Sequence, residues 1–206
     1  MKPNNALFLV AFTALFLMVS SIQNSSFAQT ATATWALTAN ATVVPSGNIS
    51  GSSHSFGAGL TATSYNATNG ATAASFEGVV CTPSPTDYFE FNVTPNCGNN
   101  LTVTSITFDH RTSSATRCFQ LKYSVNGGAE SQIGADISVA STTPTPYTTG
   151  TISISVPQGQ AVKFRLYGAT GNTSRSLSAR NFVVNGTTTV VSSPAPSLSP
   201  RYLWPF

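Results

Sequence analysis

From Thr30 onward, apolar and polar residues alternate with a period of two. Phe89, Phe91 and Val93 alternate with Tyr88, Glu90 and Asn92. Phe119, Leu121, Tyr123 and Val125 alternate with Cys118, Gln120, Lys122 and Ser124, and Val162, Phe164 and Leu166 with Lys163, Arg165 and Tyr167. Ile152, Ile154 and Val156 repeat the pattern, as do Phe182 and Val184 about Val183. Successive side chains on a strand point to opposite faces, so each run predicts a strand with one buried and one wet face. In the run ending at Asp109, Ile106 and Phe108 set the expected inward face at the even positions. Turn residues separate the runs, among them Pro45-Ser46-Gly47-Asn48, Pro95-Asn96-Cys97-Gly98, Asn126-Gly127-Gly128 and Pro157-Gln158-Gly159. No long amphipathic helical stretch occurs. The expected fold is all-β: about eight to ten strands in a two-sheet antiparallel β-sandwich, jelly-roll-like.

The two ends depart from this pattern. Residues 1–28 read as a signal peptide: Lys2, an apolar run over residues 6 to about 19, then Ser26-Phe27-Ala28 with small residues at the positions a signal peptidase requires. The run is roughly 14 residues, short of the about 20 that a spanning helix needs, so no membrane span is expected. Residues 29–187 form the expected β-sandwich module. Residues 188–206 read as a Pro/Ser-rich linker and short tail, which suggests a missing C-terminal partner domain. The expected location is secreted or cell surface.

Charge narrows the function classes. Charged residues make up 7% of the chain and the formal net charge is +3, including Lys2 of the leader. So weak a balance offers no electrostatic footprint for nucleic acid. The six carboxylates are Glu77, Asp87, Glu90, Asp109, Glu130 and Asp136, and the two histidines are His54 and His110. No G-x-S-x-G, H-E-x-x-H or paired C-x-x-C motif accompanies them, so the chain is not expected to be an enzyme.

Several segments, in order, resemble a known family. Residues 35–50 (Trp35-Ala36-Leu37-Thr38 through Gly47-Asn48-Ile49-Ser50), Tyr88-Phe89-Glu90-Phe91-Asn92-Val93-Thr94-Pro95, Tyr123-Ser124-Val125-Asn126-Gly127-Gly128 and Phe182-Val183-Val184-Asn185-Gly186 resemble a β-sandwich accessory module of secreted multidomain surface proteins of Bacteroidetes-type bacteria. The resemblance spans residues 33 to 187. It implies an extracellular module found beside polysaccharide-degrading enzymes and C-terminal sorting domains, and supplies no catalytic residue.

Three constellations remain. The runs 87–94 and 101–109 read as an antiparallel hairpin, which would bring Asp87 and Asp109 together. As solvated loop-end acids they need no ligand; as a functional pair they would be metal ligands for a structural calcium, the one cofactor entertained. The same hairpin puts Cys97 at its turn and Cys81 and Cys118 at the opposite end, about 30 Å away. That distance is beyond disulfide reach, so Cys81–Cys118 is the expected bridge and Cys97 the free thiol. Last, a polysaccharide is the expected partner. Sugars stack on aromatic faces and polar groups fix their orientation. Of Trp35, Tyr65, Tyr88, Tyr147 and Tyr167, the pair Tyr88 and Tyr167 falls on polar strand faces. These two, with Arg165 as donor, are the expected ligand-binding residues; Arg111 and Arg180 are further candidate donors. The function read from the sequence is a non-catalytic extracellular carbohydrate-binding accessory module; the alternative is a structural spacer or adhesion module without a small ligand.

Overall fold

A computed structural model describes residues 27–79, 81–114, 117–171 and 174–191. Except for its last two residues, the expected leader lies outside them, as does 192–206. The strands are β1 (Gln29–Trp35), β2 (Val43–Ser46), β3 (Ile49–Gly51), β4 (Ser55–Phe56), β5 (Thr61–Asn66), β6 (Gly70–Ala74), β7 (Tyr88–Pro95), β8 (Asn99–Thr112), β9 (Arg117–Val125), β10 (Ser131–Gln132), β11 (Ile137–Val139), β12 (Thr145–Thr148), β13 (Ile154–Val156), β14 (Val162–Ala169) and β15 (Leu177–Val190). Among the described residues there is no helix, hence none long and apolar enough to cross a membrane. The fifteen strands exceed the expected number because edge strands of two to four residues, such as β4, β10 and β13, pair separately along longer partners.

Two antiparallel sheets face each other. The first runs β12-β8-β15-β1-β2, with β13 also on β8, β6 on β15 and β5 on β6. The second runs β10-β9-β14-β7-β3, with β11 on β9 and β4 on β7. The chain crosses between sheets from β7 to β8, from β8 to β9 and from β14 to β15, and between β9 and β14 it visits the first sheet through β12 and β13, the jelly-roll pattern. Thus β7 and β8 are not a hairpin. Both sides of β7 are occupied by β14 and by β3 and β4; both sides of β8 by β15 and by β12 and β13. The short turn at Asn96-Cys97-Gly98 carries the chain from one sheet to the other. A Gly-containing turn between two alternating runs serves that crossing as well as it serves a hairpin.

Inner-face residues are those the alternation selects. Phe89, Phe91, Val93, Phe119, Leu121, Phe164 and Leu166 line the second sheet, and all are buried. They meet Ala31, Ala33, Trp35, Leu101, Val103, Ile106, Phe108, Phe182 and Val184 of the first. On β8 the inward face is odd at Leu101 and Val103 and even from Ile106 on, not even throughout. The cause is a register shift opposite β15, where Asn185 pairs with Ser105 but Gly186 with Val103. An extra residue in one strand reverses which face its side chains meet. A second shift surrounds Asn181, whose φ of 51° marks the bulge beside Phe182. Phe182 then stacks on Phe91 of the other sheet, centroids 3.7 Å apart. Trp35 packs edge-on to both at 5.2 and 6.0 Å and donates its indole N–H to the Ser52 carbonyl at 3.0 Å, so it is core and not a sugar platform. β15 continues to Val190, pairing Thr188 with Leu101 and Val190 with Asn99. The sandwich therefore extends past the expected boundary at 187.

His54 is the polar member of this core. It is buried among Phe56, Phe89 and Phe91, with Nδ1 at 3.0 Å from the Tyr65 hydroxyl and no hydrogen-bond partner for Nε2 among the described residues. Burial pushes its pKa from 6.5 down to about 3. His110 is also lowered, by burial and against the pull of Asp109. The unfolded chain therefore binds protons between about pH 6.5 and 3 that the folded chain does not. Stability is complete above that window and is lost as pH falls through it.

Two measurements check the core. Phe182→Ala should lower the unfolding free energy by about 3–5 kcal/mol in urea titration, since it empties a fully buried aromatic site. The melting temperature should fall from pH 7 to pH 5, before most carboxylates titrate, and His54→Phe should flatten that slope. A variant slope equal to the parent's would remove His54 from the account.

Candidate functional site

The outer face of the second sheet gathers the three expected ligand-binding residues. Antiparallel register places Tyr88 of β7 opposite Tyr167 of β14, and Tyr167 opposite Gln120 of β9. The next outward row is Glu90, Arg165, Lys122 and Gln132; the one after it is Asn92, Lys163 and Ser124. The inward rows between them carry Phe89, Leu166 and Leu121, then Phe91, Phe164 and Tyr123, so the core fixes which side chains share this surface.

Aromatic rings and charges interlock there. Tyr88 and Tyr167 meet edge to face at 5.3 Å. The Arg165 guanidinium lies 4.2 Å from the Tyr88 ring centre and the Lys122 ammonium 5.0 Å from that of Tyr167. Arg165 Nε donates to Glu90 Oε2 at 2.8 Å, and Lys163 pairs with the same oxygen at 3.4 Å. Arg165 Nη1 donates to Glu130 Oε1 at 2.9 Å and to the Tyr167 hydroxyl at 3.3 Å. That hydroxyl in turn donates toward Glu130, 2.9 Å from Oε2 and 3.1 Å from Oε1.

Electrostatics follow from these contacts. Burial raises the Glu90 carboxyl, but the hydrogen bonds from Arg165 and Asn92 and the Lys163 charge outweigh it and hold the group below the ordinary range. Burial also opposes the charge on Arg165; Glu90 and Tyr167 overcome it and raise its pKa. The Tyr167 phenol is pushed up by burial, with the neighbouring Glu130 adding to the rise and Arg165 opposing it. Glu90 and Arg165 are therefore both charged at neutral pH. Tyr167, only 4% exposed, presents little ring to solvent and positions Arg165 and Glu130. Tyr88, half-buried, and Arg165 are the more accessible pair.

Other expectations fare differently. Asp87 and Asp109 lie on different sheets. Asp87, buried just before β7, accepts the Glu77 amide at 2.6 Å and the Thr86 hydroxyl at 3.0 Å. Asp109, on β8, accepts Arg180 Nε and Asn181 Nδ2, each at 2.9 Å. The shared calcium site depended on the hairpin, and the sheet crossing separates its two ligands. Arg180 is thereby committed to Asp109; Arg111 also lies on β8, away from the tyrosine face. Tyr65 and Tyr147 pack against the core, the first on His54, the second 5.1 Å from Phe108. A shallow cleft of about 280 Å³ between the sheet edges, lined by Tyr123, Ile133, Ile152 and Ile154 with Gln132, Gly134 and Ser153, contains no charged group.

The disulfide is Cys81–Cys118, as expected, and Cys97 is free and exposed. It ties the loop ahead of β7 to the start of β9, beside the tyrosine row. Gln120 of that row donates its amide to the Cys81 carbonyl at 3.1 Å and to Asp136 at 2.9 Å. Glu130, Lys122, Lys163 and Gln120 were not singled out from the sequence. Alternation marked Lys122, Lys163 and Gln120 as outward, but strand order was needed to make them neighbours of Tyr167.

No protein-family model matches the chain, and comparison with curated proteins gives no match. Among solved structures, the chain is similar to a mutant family 29 carbohydrate-binding module studied for ligand recognition (17% identity, 75% of this chain and 91% of that one, TM-score 0.42). It is also similar to the carbohydrate-binding module CBM36 in complex with calcium and xylotriose (14%, 66% and 91%, TM-score 0.37). A third likeness is to the Podospora anserina GH26-CBM35 β-(1,4)-mannanase (10%, 81% and 29%, TM-score 0.33).

Replacing both Cys81 and Cys118 by Ser should lower the unfolding free energy by roughly 4 kcal/mol, given the loop that their separation of 37 residues closes. Cys97→Ser should stay within about 0.5 kcal/mol, as an exposed surface change. Urea unfolding of the three proteins reads both.

Proposed function

We propose that the chain is a non-catalytic carbohydrate-binding accessory module of an exported protein, and that the outer face of β7, β14 and β9 is its polysaccharide-binding surface. One observation carries the reading: Tyr88, Arg165 and Tyr167, each read separately as a glycan-contacting residue, converge on one sheet face with Glu90, Glu130 and Lys122. Strands hold all of these groups but Glu130, so little ordering is needed when a flat polymer docks. Tyr88 supplies an apolar ring. The charged side chains supply donors and acceptors for hydroxyls, the mixture that carbohydrate recognition uses.

Export rests on the leader read in residues 1–28, and the surface-protein context of Bacteroidetes-type bacteria on the sequence resemblance. A second reading, a spacer or adhesion module without a small ligand, draws on the cations covering the Tyr88 and Tyr167 rings.

Affinity electrophoresis through gels containing soluble polysaccharides, with pull-down on insoluble ones, separates the two. Retardation on at least one polymer is expected. Arg165→Ala should weaken it about tenfold or more, since hydrogen bonds to charged groups contribute roughly 1.5–3 kcal/mol and 1.4 kcal/mol is tenfold. Unretarded migration on every polymer would favour the spacer.

A further inference from the structure

We infer that the centre of this face is a carboxylate-binding subsite, occupied in the free protein by the chain's own Glu130, and that the matching ligand group is the carboxylate of a uronic acid residue in an acidic polysaccharide. This rests on the carbohydrate-binding reading above and specifies the sugar class.

Glu130 is not part of the sheet. β9 ends at Val125, and Asn126 and Gly127, with φ of 51° and 72°, form a tight turn closed by the Gly128 N–H to the Val125 carbonyl at 3.0 Å. Two central residues at positive φ define the turn that reverses a hairpin, which is why Asn-Gly stands there. The chain then returns along the edge of β9, and Glu130, an exposed residue just before β10, reaches back over the sheet to Arg165 and Tyr167. A guanidinium and a phenol converging on one carboxylate form a charge-assisted donor set. Any carboxylate of the same reach fits it.

Lys122 makes the donor set larger than Glu130 satisfies. It stands directly across the strand pair from Arg165, but where Arg165 holds two carboxylates, Glu90 and Glu130, Lys122 has only the Tyr167 ring beneath it. Among the described residues no carboxylate lies within ion-pairing distance of Lys122. The acids facing it are engaged elsewhere: Glu90 by Arg165 and Lys163, Glu130 by Arg165 and Tyr167, and Asp136 by the amides of Gln120 and Gln132. Displacing Glu130 into water costs little, since an exposed ion pair is weak. A uronate in its place keeps the Arg165 and Tyr167 bonds, adds Lys122, and brings ring hydroxyls to Glu90 and Gln120. A neutral sugar leaves Lys122 without an anionic partner.

Isothermal titration of the full chain with polygalacturonate, its methyl-esterified form, and neutral mannan and glucan tests this. Binding to polygalacturonate is expected, weaker in high salt and lost on esterification. Glu130→Ala should tighten it severalfold, and Lys122→Gln should weaken it severalfold. Glu130→Gln, which keeps the shape of the side chain, should also tighten it; this guards against a disturbed loop in the alanine variant, and thermal melts establish folding of each. Weaker binding by both Glu130 variants, or binding to the neutral polymers alone, would overturn the uronate subsite while leaving carbohydrate binding intact. Binding to none of the polymers would overturn both.

Discussion

The register of β14 is the constraint on which the rest depends. This strand lies between β7 and β9 and pairs with both along its length. Phe164 and Leu166 point into the core, and Arg165 points away from it, with Tyr167 on the same outward face. A slip by one residue would drive Arg165 into the apolar interior and expose Phe164. Burying a charge without a partner costs several kcal/mol, and exposing a core phenylalanine forfeits roughly 2–3 more. The core thus excludes any slip that swaps the faces, and the observed register places Tyr88, Tyr167 and Gln120 in one row and Glu90, Arg165 and Lys122 in the next.

The charged face is ordered by contacts among its own side chains. Arg165 is gripped by Glu90 and Glu130 and lies over Tyr88; Tyr167 supports both Arg165 and Glu130 from a nearly buried position. These contacts set the geometry of the surface before any ligand arrives, which limits the entropy lost on binding. They also mean that the tyrosines act as much by fixing charged groups as by offering open rings. The Cys81–Cys118 bridge fastens the adjoining loop, whose Cys81 carbonyl accepts from Gln120 beside the tyrosine row.

Much of this was legible in the sequence, for reasons that mark where legibility ends. Alternation over Tyr88–Pro95 and 162–167 identified the buried phenylalanines and set Tyr88, Arg165 and Tyr167 outward, because face is a local property of a strand. Which strands are neighbours is not local. The turn at Cys97 carries hairpin residues yet crosses between sheets, so Asp87 and Asp109 are parted. The cysteine pairing survived that error because it depended only on which end of the strand each residue reached, and a crossing preserves the ends. The inward face of β8 changes at a bulge that no residue type near Thr104 announces, and Glu130 joins the site through a loop trajectory that period-two reading cannot trace.

The central claim is that ligand meets the outer face of β7, β14 and β9. Backbone amide resonances followed during titration with short oligosaccharides, of whichever class the chain retains, test it most directly. Shifts concentrated at Tyr88 to Asn92, Gln120 to Lys122, Glu130 and Lys163 to Tyr167 are expected. Shifts confined to the cleft around Ile133 and Ile154, or to the outer face of the opposite sheet around Asp109 and Arg180, would contradict it.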